Sequence, residues 1–461
     1  MRRNRRASER IRDPQPVIRR RLPSGRGATE QPNVTGDGET RLTTRFWLAV
    51  IATGVATGLF GAFLMLVLFN VQYLAFAYHS GSYQAAVEHA HAVRRVLSLV
   101  VAGAIAGPAW YVLRRLTKGE KSEVDEVLWN GDGKLSFRRS LGTSLISELA
   151  IGMGASIGRE AAPKLMGGAS GSVLSGWFGL TPAQRKLLVA CGGGAGLAAV
   201  YNVPLGGALF TAEILCGTVA LPVVLPAIAC SFVATMVARV YLPAHATYTN
   251  VPTYHFSFTL LAWSLLAGPI IGLLASGYIR LVGWVSHHRI RGRASLVAPL
   301  GAFTVVGLVG IAYPQLFGNG KDMAHAAFLG QGTLLLFLAL FALKPFVTAL
   351  CLGSGASGGL FTPFMSTGAV FGGFAGIAWA HLWPGSPTGA FAVVGAAAMI
   401  GAAMQAPLTG LVLVLELTHN GFELMIPVMA ATLLATAVAR HVDGYSIYSA
   451  RLAAEERPAP A

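Results

Sequence analysis

The chain has 461 residues, 54% of them hydrophobic and only 12% charged, with 56 glycines and a mean hydropathy of +0.57. Soluble domains carry about 25% charged residues, so most soluble classes are excluded and a polytopic membrane protein is expected. The net charge of +15 does not argue for a nucleic-acid partner, because residues 1–45 hold twelve arginines against five acids and supply +7 of it.

Residues 1–45 are rich in Pro, Gly, Ser and Thr and lack an apolar periodic face, which predicts a disordered tail. No apolar core follows the arginines until Phe46, so this is not a signal peptide. Arginines ahead of a first span mark the cytosolic side, and the tail reads as cytosolic. Residues 46–78 then form a long apolar segment able to cross about 30 Å of hydrocarbon with tilt. The loop to Val93 is nearly free of Lys and Arg, residues 96–113 return, and Arg114, Arg115, Lys118 and Lys121 follow at once, which again marks the inside.

Next comes Gly158-Arg159-Glu160-Ala161-Ala162-Pro163, two ionisable side chains within a small and apolar run. The apolar segments 163–177, 187–200 and 204–217 are cut short by Pro or Gly, whereas 221–241 approaches spanning length. Residues 258–284 are apolar and end in His287-His288-Arg289-Ile290-Arg291-Gly292-Arg293, a third cytosolic marker. Two more near-spanning segments, 296–313 and 334–352, lead to Gly358-Gly359-Leu360-Phe361-Thr362-Pro363, and a further short one covers 407–418.

The two hexads stand 200 residues apart, and a second pair, Asn202 to Glu213 and Gln405 to Glu416, stands 203 apart with Pro, Leu, a Gly and the final Glu in register. Two echoes in the same order predict homologous halves, 46–285 and 294–452, with a short tail over 453–461. Short helices in lipid are tolerated only where their ends face protein or a water-filled path. Such ends present free N–H groups and about half a positive charge, which suits an anion. At 4 Å and an effective dielectric of 20 a full charge is worth about 4 kcal/mol and half a charge about half that, a grip weak enough for passage.

At this level the chain resembles the CLC family of chloride channels and chloride/proton antiporters, over about residues 46–452. The carriers are Gly158-Arg159-Glu160, Gly359-Leu360-Phe361-Thr362-Pro363, Ala406-Pro407-Leu408-Thr409-Gly410 with Glu416 beyond, and Tyr448 in Ser446-Ile447-Tyr448-Ser449. The resemblance implies an all-α polytopic membrane protein of two inverted-topology repeats of tilted and broken helices, forming a homodimer with one pore per subunit. It implies Glu160 as the gate and an anion site drawing on Arg159, Glu160, Ala161, Leu360, Phe361 and Tyr448, with Gly158, Pro163, Gly359 and Pro363 as motif glycines and prolines. A carboxylate suits such a gate because, ionised, it occupies an anion site and, protonated, it leaves. The implied activity is transport of chloride or a similar small anion, coupled to proton counter-transport, in a bacterial inner membrane with the N-terminus cytosolic. A passive voltage- or pH-gated channel, and a fluoride or nitrate transporter, are the alternatives.

Three departures bear on that reading. The motif proline is displaced to Pro163, which puts Lys164 four residues after Glu160, where it either modulates the gate or anchors at an interface. The serine motif that would offer a hydroxyl to the central anion is missing, the corresponding stretch being 118–125. The position at which antiporters of the family often carry a second, proton-relaying glutamate is Ile214, and Glu213 beside it reads as a structural or capping residue.

The rival class is an intramembrane hydrolase, since Gly154-Ala155-Ser156-Ile157-Gly158 and Gly355-Ala356-Ser357-Gly358-Gly359 both fit G-x-S-x-G. That pattern needs a strand-turn-helix setting, and a non-enzyme is expected. Neither a metal nor a cofactor is expected: the histidines form no H-E-x-x-H pair, and Cys191, Cys216, Cys230 and Cys351 read as isolated buried small hydrophobes. The expected partners are chloride, protons, the lipid bilayer and a second copy of the chain, without nucleic acid. With the chain given ending at Ala461, no large regulatory domain is expected after Tyr448.

Overall fold

The structure, a computed structural model, describes residues 42–452 apart from 79, 80, 122 and 244. The expected tails, 1–45 but for its last four residues and 453–461, lie outside that range. Among the described residues the chain forms α1 (Thr44–Phe76), α2 (Tyr83–His89), α3 (Ala92–Leu116), α4 (Val124–Trp129), α5 (Phe137–Gly152), α6 (Ala161–Trp177), α7 (Pro182–Tyr201), α8 (Pro204–Leu209), α9 (Leu221–Ala238) and α10 (Phe258–His287). It continues with α11 (Ala298–Ala312), α12 (Lys321–Phe328), α13 (Leu334–Gly353), α14 (Phe361–Ala380), α15 (Thr388–Met404), α16 (Pro407–Thr418) and α17 (Met425–Val442).

Among the described residues seven segments are long and apolar enough to cross a membrane: α1, α3, α9, α10, α13, α14, and Phe422–Val442, which contains α17. The protein is an all-α polytopic membrane protein. The helix after the first hexad, α6, has 17 residues, whereas α14 after the second runs for 20 and is long enough to span. The expected short segment 204–217 divides into α8 and a π-helical turn, Phe210–Leu215.

Local chemistry explains where the helices start and stop. Thr181 caps α7 in a reciprocal box with Gln184, and Pro182 follows at the first turn, where its missing N–H costs no bond. The next stop is shared by two places in the chain. Asn202 closes α7 and Gln405 closes α15, both left-handed with φ 57°, and Pro204 and Pro407 restart the chain as α8 and α16.

Packing repeats along with the motifs. α6 lies on α7, α7 on α9, and α1 on both α7 and α9; in the same way α14 lies on α15, α15 on α17, and α10 on both α15 and α17. α7 and α15 are the innermost helices, with α15 buried from Gly389 to Met404 on every side, as a helix apolar all round must be. Glycine makes the tightest crossings possible. A Cβ on Gly167 of α6 would lie 2.0 Å from the Gly192 carbonyl of α7, and one on Gly368 of α14 would lie 2.5 Å from the Gly395 carbonyl of α15. The outer sides of α1, α9 and α10 expose Leu, Ile, Val and Phe instead.

Candidate anion path

The loops before α6 and α14 meet back to back. Gly158 donates to the Gly359 carbonyl at 2.8 Å and Gly359 returns the bond at 2.7 Å, so two helix N-termini far apart in sequence are pinned together. Pro163 and Pro363 sit in the first turn of their helices, where backbone N–H groups have no intrahelical partner.

Glu160 occupies the N-cap of α6 and is buried. Thr362 Oγ1 donates to its Oε2 at 3.1 Å, the Tyr201 hydroxyl lies 3.4 Å from the same oxygen, and the two hydroxyls are 2.9 Å apart. The backbone amides of Phe361 and Thr362, at the start of α14, face the carboxylate. A Cβ on either Gly158 or Gly359 would fall 2.1 Å from Glu160 Oε1, so the two bridging glycines leave room for the carboxylate and nothing larger. The site therefore holds a carboxylate among hydroxyls and free amides, donors that suit any small anion.

Three spaces adjoin these residues. The first, about 430 Å³, opens beside Arg159, Tyr201, Lys321, Asp322 and His325. The second, about 40 Å³, is walled by Glu160, Ala161, Lys164, Ser144, Ser147, Leu360, Phe361 and Tyr448, and has room for a small ion with little water. The third, about 230 Å³, is lined by His287, Arg289, Arg291, Arg451 and Tyr448, with Glu123, Asp125 and Glu126 among them. The third lining sets three arginines against three acids, and the first sets Arg159 and Lys321 against Asp322.

Of the residues picked out from sequence, Glu160, Ala161, Leu360, Phe361, Tyr448 and Lys164 thus surround one space. Arg159 lies on the first cavity instead, its guanidinium 4.9 Å above the Tyr201 ring. Lys164 pairs with Asp125 and makes no hydrogen bond to Glu160. Its Nζ sits 2.8 Å from Asp125 Oδ2 and 4.5 Å above the Tyr448 ring, with both charged side chains largely buried. Asp125 belongs to α4, at the end of the stretch 118–125 where a serine was looked for, so a buried ion pair stands in that part of the wall.

Glu213 and Glu416 lie elsewhere, each on the other's motif. Glu213 accepts from the Leu408 amide at 3.3 Å, the Thr409 amide at 2.7 Å and Thr409 Oγ1 at 2.7 Å, while Glu416 accepts from the Leu205 and Gly206 amides at 3.1 and 2.6 Å. Each carboxylate neutralises the N-terminal amides of a short helix from the other part of the chain. Ile214 is buried in the π-helical turn beside Glu213.

Sequence reasoning missed three polar groups at this centre. Tyr201 and Thr362 hold the Glu160 carboxylate, and fully buried Lys344 donates to Ser156 Oγ at 2.8 Å and the Gly318 carbonyl at 3.0 Å. An ionisable residue inside the apolar run 334–352 was the available signal for Lys344. Both G-x-S-x-G stretches sit in helix-to-helix loops, α5 to α6 and α13 to α14, and not in the strand-turn-helix setting a hydrolase nucleophile needs. The four cysteines are buried and free.

This is a helical membrane protein with one buried carboxylate, Glu160, at paired helix starts. Residues 102–440 match the family described as voltage gated chloride channel, and the chain belongs to it. It is 32% identical over 378 residues to a ClcB-like protein of Ralstonia nicotianae, covering 78% of this chain and 85% of that one. With the H(+)/Cl(-) exchange transporter ClcA of Yersinia pestis it shares 31% identity over 346 residues, 73% of this chain and 71% of that one. The solved structure of a slow cyanobacterial Cl-/H+ antiporter superposes with a TM-score of 0.77 at 22% identity, over 89% of this chain and 97% of the other, which establishes the common fold.

Proposed function

We infer that the protein exchanges chloride for protons across a membrane, with Glu160 as the gate that both ions share. The observation that carries this reading is the Glu160 carboxylate itself, seated between Gly158 and Gly359 against the first amides of α14, where a passing anion would be solvated. An ionised Glu160 competes with chloride for those donors, and a protonated one gives them up. The relatives named as exchange transporters support the same pairing of ions. Ala161, Leu360, Phe361 and Tyr448 form the wall on which the anion rests once the gate has left, and Arg159 draws anions to the first cavity.

In the same reading, 46–285 and 294–452 are inverted halves, each lending the other a capping glutamate. The chain works as a homodimer with one path per subunit in a bacterial inner membrane, and the arginine-rich tail is cytosolic. The test is reconstitution in liposomes with chloride and pH electrodes recorded together. A chloride gradient should drive protons uphill, and Glu160→Gln should leave chloride flux that no longer depends on pH and moves no protons. Unchanged pH dependence in the variant would sink the assignment.

A further inference from the structure

We propose that Glu148 is a second proton-binding carboxyl, which delivers protons to Glu160 along a polar line on α5; this rests on the exchange reading above. Glu148 is fully buried in a helix that runs into the gate loop, and neither of its carboxylate oxygens has a hydrogen-bond partner among the described residues. Ser140, Ser144 and Glu148 follow at intervals of four on α5, so they stack along one side over a rise of about 12 Å. Ser140 is as buried as Glu148, and its hydroxyl too has no partner. The middle member of the line, Ser144, and the adjacent Ser147 reach the backbone on either side of the gate. Ser144 Oγ donates to the Ala162 carbonyl at 3.2 Å, just past Glu160, and Ser147 Oγ donates to the Ser357 carbonyl at 2.7 Å, just before Gly359.

The ordinary duties of a buried glutamate do not account for it. Among the described residues it makes no ion pair and caps no helix. The charges that act on it are Arg159, whose guanidinium is stacked on Tyr201, and Glu160. α1, α3 and α6 pack against α5. Their charged residues are Arg45 at the start of α1, Arg94, Arg95, Arg114 and Arg115 towards the ends of α3, and Lys164 of α6, which is held by Asp125. An ionised carboxylate without a partner at this depth is too costly to keep, so Glu148 rests as the neutral acid and carries a proton.

Transfer breaks the O–H bond of Glu148 and forms one on ionised Glu160, through serine hydroxyls or water. The Glu148 carboxylate then regains a proton from the solvent end of α5 by way of Ser140. Two acids that repel each other's charge favour a single negative charge shared in turn, as a relay requires. Nothing of this needs an acid at position 214.

The experiment compares the parent protein with Glu148→Gln and Ser140→Ala in liposomes under a chloride gradient, with chloride and pH recorded together, and adds infrared spectra at neutral pH. Glu148→Gln should keep chloride flux but lose proton movement above the leak of empty vesicles, and its spectrum should lack one protonated-carboxyl band that the parent shows. Ser140→Ala, which breaks no hydrogen bond, should slow protons and not chloride, so the test stands even if the first variant fails to fold. Parental proton-to-chloride ratios in both variants, or an unchanged carboxyl band, overturn the Glu148 assignment alone. A parent protein that passes chloride without protons overturns both it and the exchange reading.

Discussion

Gly158 and Gly359 exchange both of their backbone hydrogen bonds, and the Glu160 carboxylate fills the space that a side chain on either would take. The pairing joins two helix starts into one donor surface. It also makes the position of the Glu160 carboxylate sensitive to a single methyl group.

Gly359→Ala should therefore push the Glu160 carboxylate off the α14 amides. The added Cβ meets carboxylate atoms rather than backbone, so the side chain yields and the strain stays at about 1–3 kcal/mol. Chloride flux in liposomes should rise at neutral pH and lose much of its pH dependence. Flux and pH profile identical to the parent would show that the carboxylate has room elsewhere without leaving its donors.

Lys164 and Asp125 should behave as a neutral pair beside the anion path. Removing the ammonium with Lys164→Met leaves a buried carboxylate near Tyr448, which should destabilise the protein by about 3–5 kcal/mol and weaken chloride binding. Lys164→Met combined with Asp125→Asn removes both charges and should recover most of the lost affinity and melting temperature. Calorimetric chloride titration and thermal unfolding in detergent measure the cycle. If the double variant is no better than Lys164→Met, the two residues act separately.

Glu213 and Glu416 should contribute to stability and leave proton coupling alone. Replacing either with Gln removes the charge and one acceptor from a pair of helix-start amides, at a cost of about 1–3 kcal/mol. Both variants should melt earlier by similar amounts, and the proton-to-chloride ratio should stay at the parental value. Loss of proton movement in Glu213→Gln with an unchanged melting temperature would put the relay at Glu213.

Much of the architecture was legible without coordinates, because lipid demands it. Apolar runs such as 334–352 and 407–418 coincide closely with α13 and α16, since a span or a half-span must satisfy its backbone internally. The prolines and glycines of the hexads marked the helix starts, because few other residues permit those turns and approaches. The register of Glu213 with Glu416 was visible as well, and suggested a structural role.

What the sequence by itself determined was thus the membrane class, the doubled motifs and the acid of the first hexad, Glu160. The partners were decided only in three dimensions. Lys164 stands four residues from Glu160 yet pairs with Asp125 on α4, and Glu213 caps a helix some two hundred residues away. Tyr201 reaches Glu160 because α7 lies along α6, a relation that neither segment states alone. Glu148 was passed over for the same reason: its burial without a partner depends on α1, α3 and α6 closing over α5. Spans follow from the transfer energy of each segment, a local sum; side-chain partners follow from the packing of distant segments, which no local sum contains.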